Sequence, residues 1–133
     1  MTKEQIIKEC LEIGAESFVD NPYGPTVDVV KNKVGKSFAL VGVLAIADVK
    51  SIRKNCDEDA PADEGDIFIT LKCPPELIFV LRAQFKAVIP GYYSNKMHWN
   101  TVIVGKDVPS DEIKKMIRLS YDLVTPLKRG GGK

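Results

Sequence analysis

Basic and aromatic side chains recur together along this sequence, and that combination suits contact with nucleic acid. Lysine and histidine side chains can pair with phosphates while aromatic rings pack alongside them. The alternative is a structural role, in which lysines guard an exposed sheet edge against aggregation. The candidate surface comprises Lys31, Lys33, Lys36, Lys72, Lys96 and His98, with Tyr92, Tyr93 and Trp99 among them.

His98 is the one histidine of the chain. One interpretation makes it a general base, but no serine or cysteine stands next to it as a nucleophile. The other interpretation, which we favour, is a hydrogen bond at a strand edge or a polar surface contact. Because no set of residues has the spacing of a known catalytic site, we predict that the protein is not an enzyme.

Motifs for metals and nucleotides are also missing from the sequence. Cys10, Cys56 and Cys73 are odd in number and widely spaced, which favours reduced structural thiols over disulfides or a thiolate metal site. The stretch 55–66 carries six acids and no base, but a proline within it defeats the geometry of a calcium-binding EF-hand. Gly35-Lys36-Ser37 lacks the upstream glycine of a phosphate-binding loop. We therefore predict no metal and no cofactor.

Length and composition indicate one ordinary domain. The chain has 133 residues, of which 44% are hydrophobic and 28% charged, and its net charge is +1. Because this net charge is too small to attract phosphates by itself, nucleic-acid binding would need a local basic patch. The longest apolar run, 38–47, is about half the length of a membrane-spanning helix, and the N-terminus has no secretory signal. We predict a cytoplasmic monomer without membrane contact, with a single domain at 1–127 and a short flexible basic tail at 128–133.

The periodicity of apolar residues predicts an α+β fold with a largely antiparallel sheet rather than a βαβ array. Thr2 opens a capping box, and the apolar spacing after it predicts an amphipathic helix to Ser17, with Phe18 near its apolar face. The remaining predictions are strands at 27–31, 37–44, 66–72 and 97–105, an acidic loop at 55–66, and helices at 74–85 and 110–124.

Four short motifs, taken together and in order, resemble the MmcQ/YjbR-like family. They are Gly35-Lys36-Ser37-Phe38-Ala39, Ile69-Thr70-Leu71-Lys72-Cys73-Pro74-Pro75-Glu76, the segment from Val88 through Pro90-Gly91-Tyr92-Tyr93 and Asn95-Lys96-Met97-His98-Trp99 to Val102, and Ile117-Arg118-Leu119-Ser120-Tyr121-Asp122-Leu123-Val124. The resemblance implies a compact α+β fold similar to type III secretion chaperones, and members of the family are commonly described as DNA-binding proteins. Tyr93 departs from the pattern, since a histidine is usual after Pro-Gly-Tyr. The acidic stretch at 55–66 would repel phosphate if it lay near the basic sheet.

An enzyme or small-molecule binder would require a deep pocket that gathers perturbed titratable groups, for instance around His98 and Tyr93. Two further functional hypotheses remain open. In one, the protein is an interaction module of chaperone-like fold for another protein, with no nucleic-acid or catalytic role. In the other, it binds DNA through a basic patch on the sheet. Trp99 and Tyr121 are expected to pack a strand against the final helix rather than to contact bases. The residues predicted for the DNA site are Lys36, Lys72, Lys96 and His98 for phosphates, with Tyr92, Tyr93 and Asn95 alongside.

Overall fold

The computed structural model describes residues 1–126, which form four α-helices and six β-strands. In chain order these are α1 (Lys3–Ile13), β1 (Phe18–Asp20), β2 (Val27–Lys31), β3 (Ser37–Val43), α2 (Ile46–Asn55), β4 (Ile67–Lys72), α3 (Pro75–Gln84), β5 (Val88–Pro90), β6 (Trp99–Ile103) and α4 (Ser110–Val124). The strands make one sheet in the order β1-β2-β3-β4-β6-β5, and each neighbouring pair is antiparallel. The predicted α+β class with an antiparallel sheet is confirmed.

The first helix begins as predicted and ends earlier. Thr2 Oγ1 accepts a hydrogen bond from the Gln5 amide at 3.1 Å, and Gln5 Oε1 accepts one from the Thr2 amide at 2.8 Å, which completes the capping box. The chain leaves the helix at Gly14, where a Cβ would lie 2.2 Å from the Tyr121 hydroxyl of α4. Phe18 belongs to β1 and is 44% exposed. The predicted extension of the helix to Ser17, with Phe18 near its apolar face, was therefore wrong.

The helices are divided unequally between the two faces of the sheet. α1, α3 and α4 cover one face, where Ser120 of α4 donates to the Phe38 carbonyl at 2.6 Å. α2 lies on the other face, where the Tyr92 hydroxyl donates to Asp48 Oδ1 at 2.7 Å. Since α2 covers only part of that second face, we call it the open face. Its side chains, from strand alternation and register, include Val29, Lys31, Ser37, Leu40, Thr70, Lys72, Trp99 and Thr101.

Three features of the fold differ from or extend the sequence predictions. α2 and β1 were not predicted, and no bounds were predicted for β5. α2 buries just two residues of its own, Val49 and Ile52, so its apolar periodicity is weak. Trp99 pairs with Lys72 on the open face, away from α4, so its predicted contact with the final helix was wrong. Tyr121 does pack there, edge-on to Phe38 with ring centroids 5.1 Å apart.

The acidic stretch connects α2 to β4 without helix or strand from Cys56 to Asp66, as predicted. Among residues 1–126, no helix combines the length and apolar character that a membrane crossing requires. The predicted basic tail at 128–133, and the domain boundary at 127, lie outside the described residues.

Candidate functional site

One end of the open face presents a row of polar and aromatic side chains from four neighbouring strands. Lys31 pairs with Ser37, and Lys72 pairs with Trp99, at the end of the sheet where β2 and β4 finish and β3 and β6 begin. Regular alternation would put Ser37 and Leu40 on opposite faces. A β-bulge interrupts the β2–β3 ladder here: Ser37 and Ala39 pair with successive residues of β2, so Phe38 is the extra, unpaired residue. The bulge brings the Ser37 side chain to the open face.

A groove of about 360 Å³ lies over this row. Val29 and Leu40 form its floor and are 2% and 4% exposed. Its walls come from the turn before β2 and from the loop that joins β5 to β6. The full lining is Pro22, Tyr23, Val29, Lys31, Ser37, Leu40, Ser94, Asn95 and Trp99.

The loop between β5 and β6 is held to the open face by a closed set of hydrogen bonds. The Tyr92 amide donates to Thr101 Oγ1 at 2.8 Å, and Thr70 Oγ1 donates to the Tyr92 carbonyl at 3.1 Å. The two threonine oxygens are 2.6 Å apart. Since the Thr70 hydroxyl proton is already used, Thr101 must donate to Thr70. Two buried strand residues thus fix the backbone of Tyr92 in place.

Arg82 of α3 holds the same loop from the helical side. Its Nε donates to Asn100 Oδ1 at 2.7 Å, and one terminal nitrogen donates to the carbonyls of Lys96 and Trp99, the latter at 3.3 Å. Gly91 meets Trp99 so closely that a Cβ there would lie 2.9 Å from the Trp99 Cβ. These contacts tie the groove wall to α3 as well as to the sheet.

Aromatic rings cluster over the open face beside the groove. Tyr93 lies 5.4 Å from Tyr23 and 4.5 Å from Tyr92, between ring centroids, and its ring is nearly parallel to that of Phe68 at 6.3 Å. Gly42 makes room for the cluster, because a Cβ at that position would lie 2.7 Å from the Phe68 ring. Tyr93 has a φ of 72°, a left-handed conformation that non-glycine residues seldom adopt and that is frequent at functional sites.

The structure separates the seven predicted site residues into two groups. Tyr92 and Lys96 are engaged internally: Tyr92 binds Asp48, and Lys96 Nζ donates to the Gly91 carbonyl at 3.2 Å. Burial, reinforced by Asp48, raises the pKa of Tyr92, so this phenol stays protonated. Of the others, Asn95 lines the groove, Lys72 pairs with Trp99 on the open face, and Tyr93 packs at a tilt against Tyr23. Lys36 and His98 are exposed and adjoin Ser37 and Trp99 in sequence, outside the groove lining.

Of the residues that line the groove, Asn95 alone belongs to the predicted site, while Lys31 and Trp99 belong to the wider basic and aromatic surface named from the sequence. Strand alternation with Val29 and Thr101 favours Lys31 and Trp99 within that surface, since it puts each of them on the same face as a buried neighbour. Tyr23 and Ser37 were in neither set. Ser37 could not be predicted, because its facing depends on the bulge. Tyr23 reaches the groove through a turn that has no periodic pattern.

Charge is distributed unevenly around the groove. Lys31 Nζ lies 2.8 Å from Asp20 Oδ2, and this hydrogen bond lowers the pKa of Asp20. Asp66 precedes β4 while Lys72 ends it, so the two are separated by roughly 20 Å of strand. Lys106 Nζ binds Asp66 and Asp63, each at 3.1 Å. These two carboxylates of the acidic stretch therefore lie far from the groove and are neutralised in part.

The cysteines form no disulfide, and Cys10 and Cys73 are buried. Burial raises the pKa of Cys10 to about 12, which keeps it a neutral thiol. Within residues 1–126 there is no cluster of three or more histidine, cysteine, aspartate or glutamate side chains arranged for a metal ion.

Comparison with known proteins gives a consistent set of relatives. A family model described as YjbR matches residues 15–123. The uncharacterized protein YjbR of Escherichia coli K12 is 30% identical over 122 residues, which cover 91% of this chain and 85% of the relative. A crystal structure from Pseudomonas syringae matches with a TM-score of 0.74 at 25% identity, covering 94% of this chain and 100% of the other. A Deinococcus radiodurans protein matches with a TM-score of 0.70 at 27% identity, covering 97% and 80%.

Proposed function

The chain belongs to the YjbR family, and from the geometry of its groove we propose that it binds single-stranded nucleic acid at the groove on its open face. The observation that carries the proposal is the groove of about 360 Å³ in which Tyr23 and Trp99 stand beside Lys31, with Lys72 next to Trp99 on the same face. Proteins that bind single strands combine aromatic rings for the bases with cations for the phosphates. This groove supplies both.

A single strand suits the groove better than a duplex does. Bases within a duplex are stacked and paired, so their faces cannot reach an aromatic wall. An unstacked base can contact the rings of Tyr23 and Trp99. The lysines are few and the net charge of the chain is +1, so we expect affinity in the micromolar range that depends on salt.

The proposed binding includes no catalytic step. We propose that the protein acts as a monomer in the cytoplasm. The absence of disulfides at Cys10, Cys56 and Cys73 supports a reducing compartment. Binding of this kind needs no metal and no cofactor.

A second candidate function is binding of another protein through α3. Leu77, Phe79 and Val80 of this helix are 39%, 57% and 54% exposed, and Met97 in the nearby loop is 55% exposed. Clustered exposed apolar side chains of this kind mark interaction surfaces. This surface differs from the groove, so variants can separate the two functions.

The test is fluorescence anisotropy of a labelled single-stranded 12-mer and of its duplex, titrated at about 50 and about 200 mM salt. We expect the single strand to bind more tightly than the duplex, and the double variant Lys31→Ala, Lys72→Ala to lose most of that binding. Lys115→Ala is the matched control, since this α4 lysine has a side chain 74% exposed and lies outside the groove. Absence of single-strand binding at low salt, or equal losses in both variants, would refute the proposal and shift attention to α3.

A further inference from the structure

The groove is small and is bounded by Asp20 on one side and by Tyr92 and α2 on the other, and from this we infer that it holds one nucleotide, with its base against Tyr23 and Trp99 and its phosphate at the lysines. This inference rests on the proposed function and specifies its ligand. The shared chemistry is a base joined to a phosphate, whether in a free mononucleotide or in one unstacked residue of a longer strand.

The size of the groove limits its content to one unit. Its volume of about 360 Å³ is near the lower limit of pockets that hold small ligands, roughly 300 to 1,000 Å³. A surface that follows several nucleotides would need a longer channel with cations spaced along it.

The chemistry of the lining fits a base rather than a peptide side chain or a sugar. Val29 and Leu40 close the bottom of the groove, and Tyr23 and Trp99 supply the π faces that a base can contact. Hydroxyl and carboxamide groups on the rim can donate to and accept from base edges. The Met97 amide donates to Asn95 Oδ1 at 2.8 Å, which orients this carboxamide and leaves its Nδ2 as the donor for a carbonyl oxygen of a base. The polar rim residues are Ser37, Ser94 and Asn95.

The negative charge of Asp20 limits the phosphate-binding part of the groove on the β1 side. Lys31 can meet one phosphate, but Asp20 lies 2.8 Å beyond it. A second phosphate continuing over β1 would approach that carboxylate and be repelled. On the other side, Tyr92 and α2 occupy the open face. A strand can therefore enter the groove with one nucleotide but cannot run along the sheet.

Trp99 provides a direct report of base entry, because it is the one tryptophan of the chain and lies in the groove wall. The experiment is titration of the full chain with thymidine 5′-monophosphate and with thymidine oligomers of two, four and eight units, followed by Trp99 fluorescence. An abasic deoxyribose-phosphate oligomer serves as the probe without bases. We expect quenching by the mononucleotide, affinity that levels off by two or three units, and no quenching by the abasic strand.

Variants that fill the groove test its role independently of charge. Ser37→Phe leaves both lysines and Trp99 in place, and we expect it to weaken mononucleotide binding about tenfold or more, since base stacking contributes on that scale. Val34→Phe adds the same ring to a side chain that is 66% exposed in the adjacent turn, and should change affinity less than about twofold. Circular dichroism of both variants checks that each is folded.

The outcomes distinguish the failure of this inference from the failure of the proposed function. Affinity that rises at every added unit without Trp99 quenching would overturn the single-nucleotide site and leave single-strand binding standing. Binding of the free mononucleotide alone would support the site and overturn single-strand binding. No binding of any oligomer by anisotropy or fluorescence would overturn both.

Discussion

Asp20 places a negative charge beside Lys31 of the groove, and its removal is expected to change the affinity for nucleic acid. The hydrogen bond from Lys31 lowers the pKa of Asp20 below its ordinary 3.8, so the carboxylate is ionised at neutral pH. A phosphate at Lys31 must therefore approach a fixed anion. Because loss of this carboxylate removes the repulsion, it should strengthen binding.

We predict that Asp20→Asn increases single-strand affinity about two- to fivefold at low salt, with a smaller gain at high salt because the effect is electrostatic. Anisotropy titrations at two salt concentrations measure it. Asp122→Asn is the control, an exposed carboxylate on α4 that pairs with Arg118 at 3.5 Å. Weaker binding by Asp20→Asn would mean that Asp20 positions Lys31 for the ligand instead of competing with it.

Gly42 is a second residue of interest, because the core has no room for a Cβ atom at this position. A Cβ at this position would lie 2.7 Å from the Phe68 ring and 3.0 Å from the Thr26 carbonyl, and neither is free to move. We predict that Gly42→Ala lowers the free energy of unfolding by about 1 to 3 kcal/mol, as overpacking does in other cores. Urea unfolding measures the change. Val43→Ala, at a neighbouring side chain 44% exposed, should cost less than about 1 kcal/mol. Equal effects would show that the Phe68 ring moves aside freely.

Single residues also show how far the sequence predicts the site. The types and spacing of Lys72 and Asn95 were sufficient to propose them, and both lie at or beside the groove. Tyr92 and Lys96 have the same residue chemistry, but their polar atoms are used by Asp48 and Gly91. Asp48 is 44 positions from Tyr92 along the chain. A local sequence pattern cannot predict a hydrogen bond between residues so far apart in the chain.

At the scale of elements, a side-chain hydrogen bond joins α2 to the β5–β6 loop. The Tyr92 hydroxyl donates to Asp48 Oδ1, while Asp48 Oδ2 accepts from the Ala45 amide at 2.8 Å and so caps the helix. Burial first, and Asp48 second, raise the pKa of Tyr92 above its ordinary 10.0. A raised folded pKa means that this stabilisation is complete below pH 10 and is lost as the pH rises further.

We predict that one of the four tyrosines titrates later than the others in an alkaline absorbance titration, and that Tyr92→Phe removes this late step. The same substitution should lower the free energy of unfolding near pH 8 by about 0.5 to 1.5 kcal/mol, because it deletes a hydrogen bond. Tyr23→Phe, at a ring 55% exposed, is the control and should leave the late step in place. A late step that persists in Tyr92→Phe would assign the raised pKa to another ring.

Elements with strong periodicity were predictable, and elements defined by tertiary contact were not. α4 repeats apolar residues every three or four positions and begins at Ser110, where it was predicted. β1 has three exposed residues and exists only through its pairing with β2. α2 has few buried residues of its own, so its helical signal is weak until the open face of the sheet is present beneath it.

At the scale of the whole molecule, opposite charges collect at opposite ends of the sheet. Lys31 and Lys72 lie at the groove end, and Asp63 and Asp66 lie at the other end with Lys106. The net charge of +1 therefore conceals a local basic surface. Its small number of lysines limits how many phosphates the protein can neutralise, and this limit can be measured.

Each phosphate neutralised on a single strand adds about 0.7 to the slope of log affinity against log salt. With Lys31 and Lys72 in contact, and Lys36 nearby, we predict a slope of roughly −1.4 to −2.1 for the unmodified chain. Lys72→Ala should reduce its magnitude by about 0.7. Glu64→Gln, an exposed acid at the far end of the sheet, should leave the slope unchanged. A much steeper slope would require contacts between phosphates and cations outside the groove. If Glu64→Gln changed the slope as strongly as Lys72→Ala does, the strand would not be bound specifically at the groove end of the sheet.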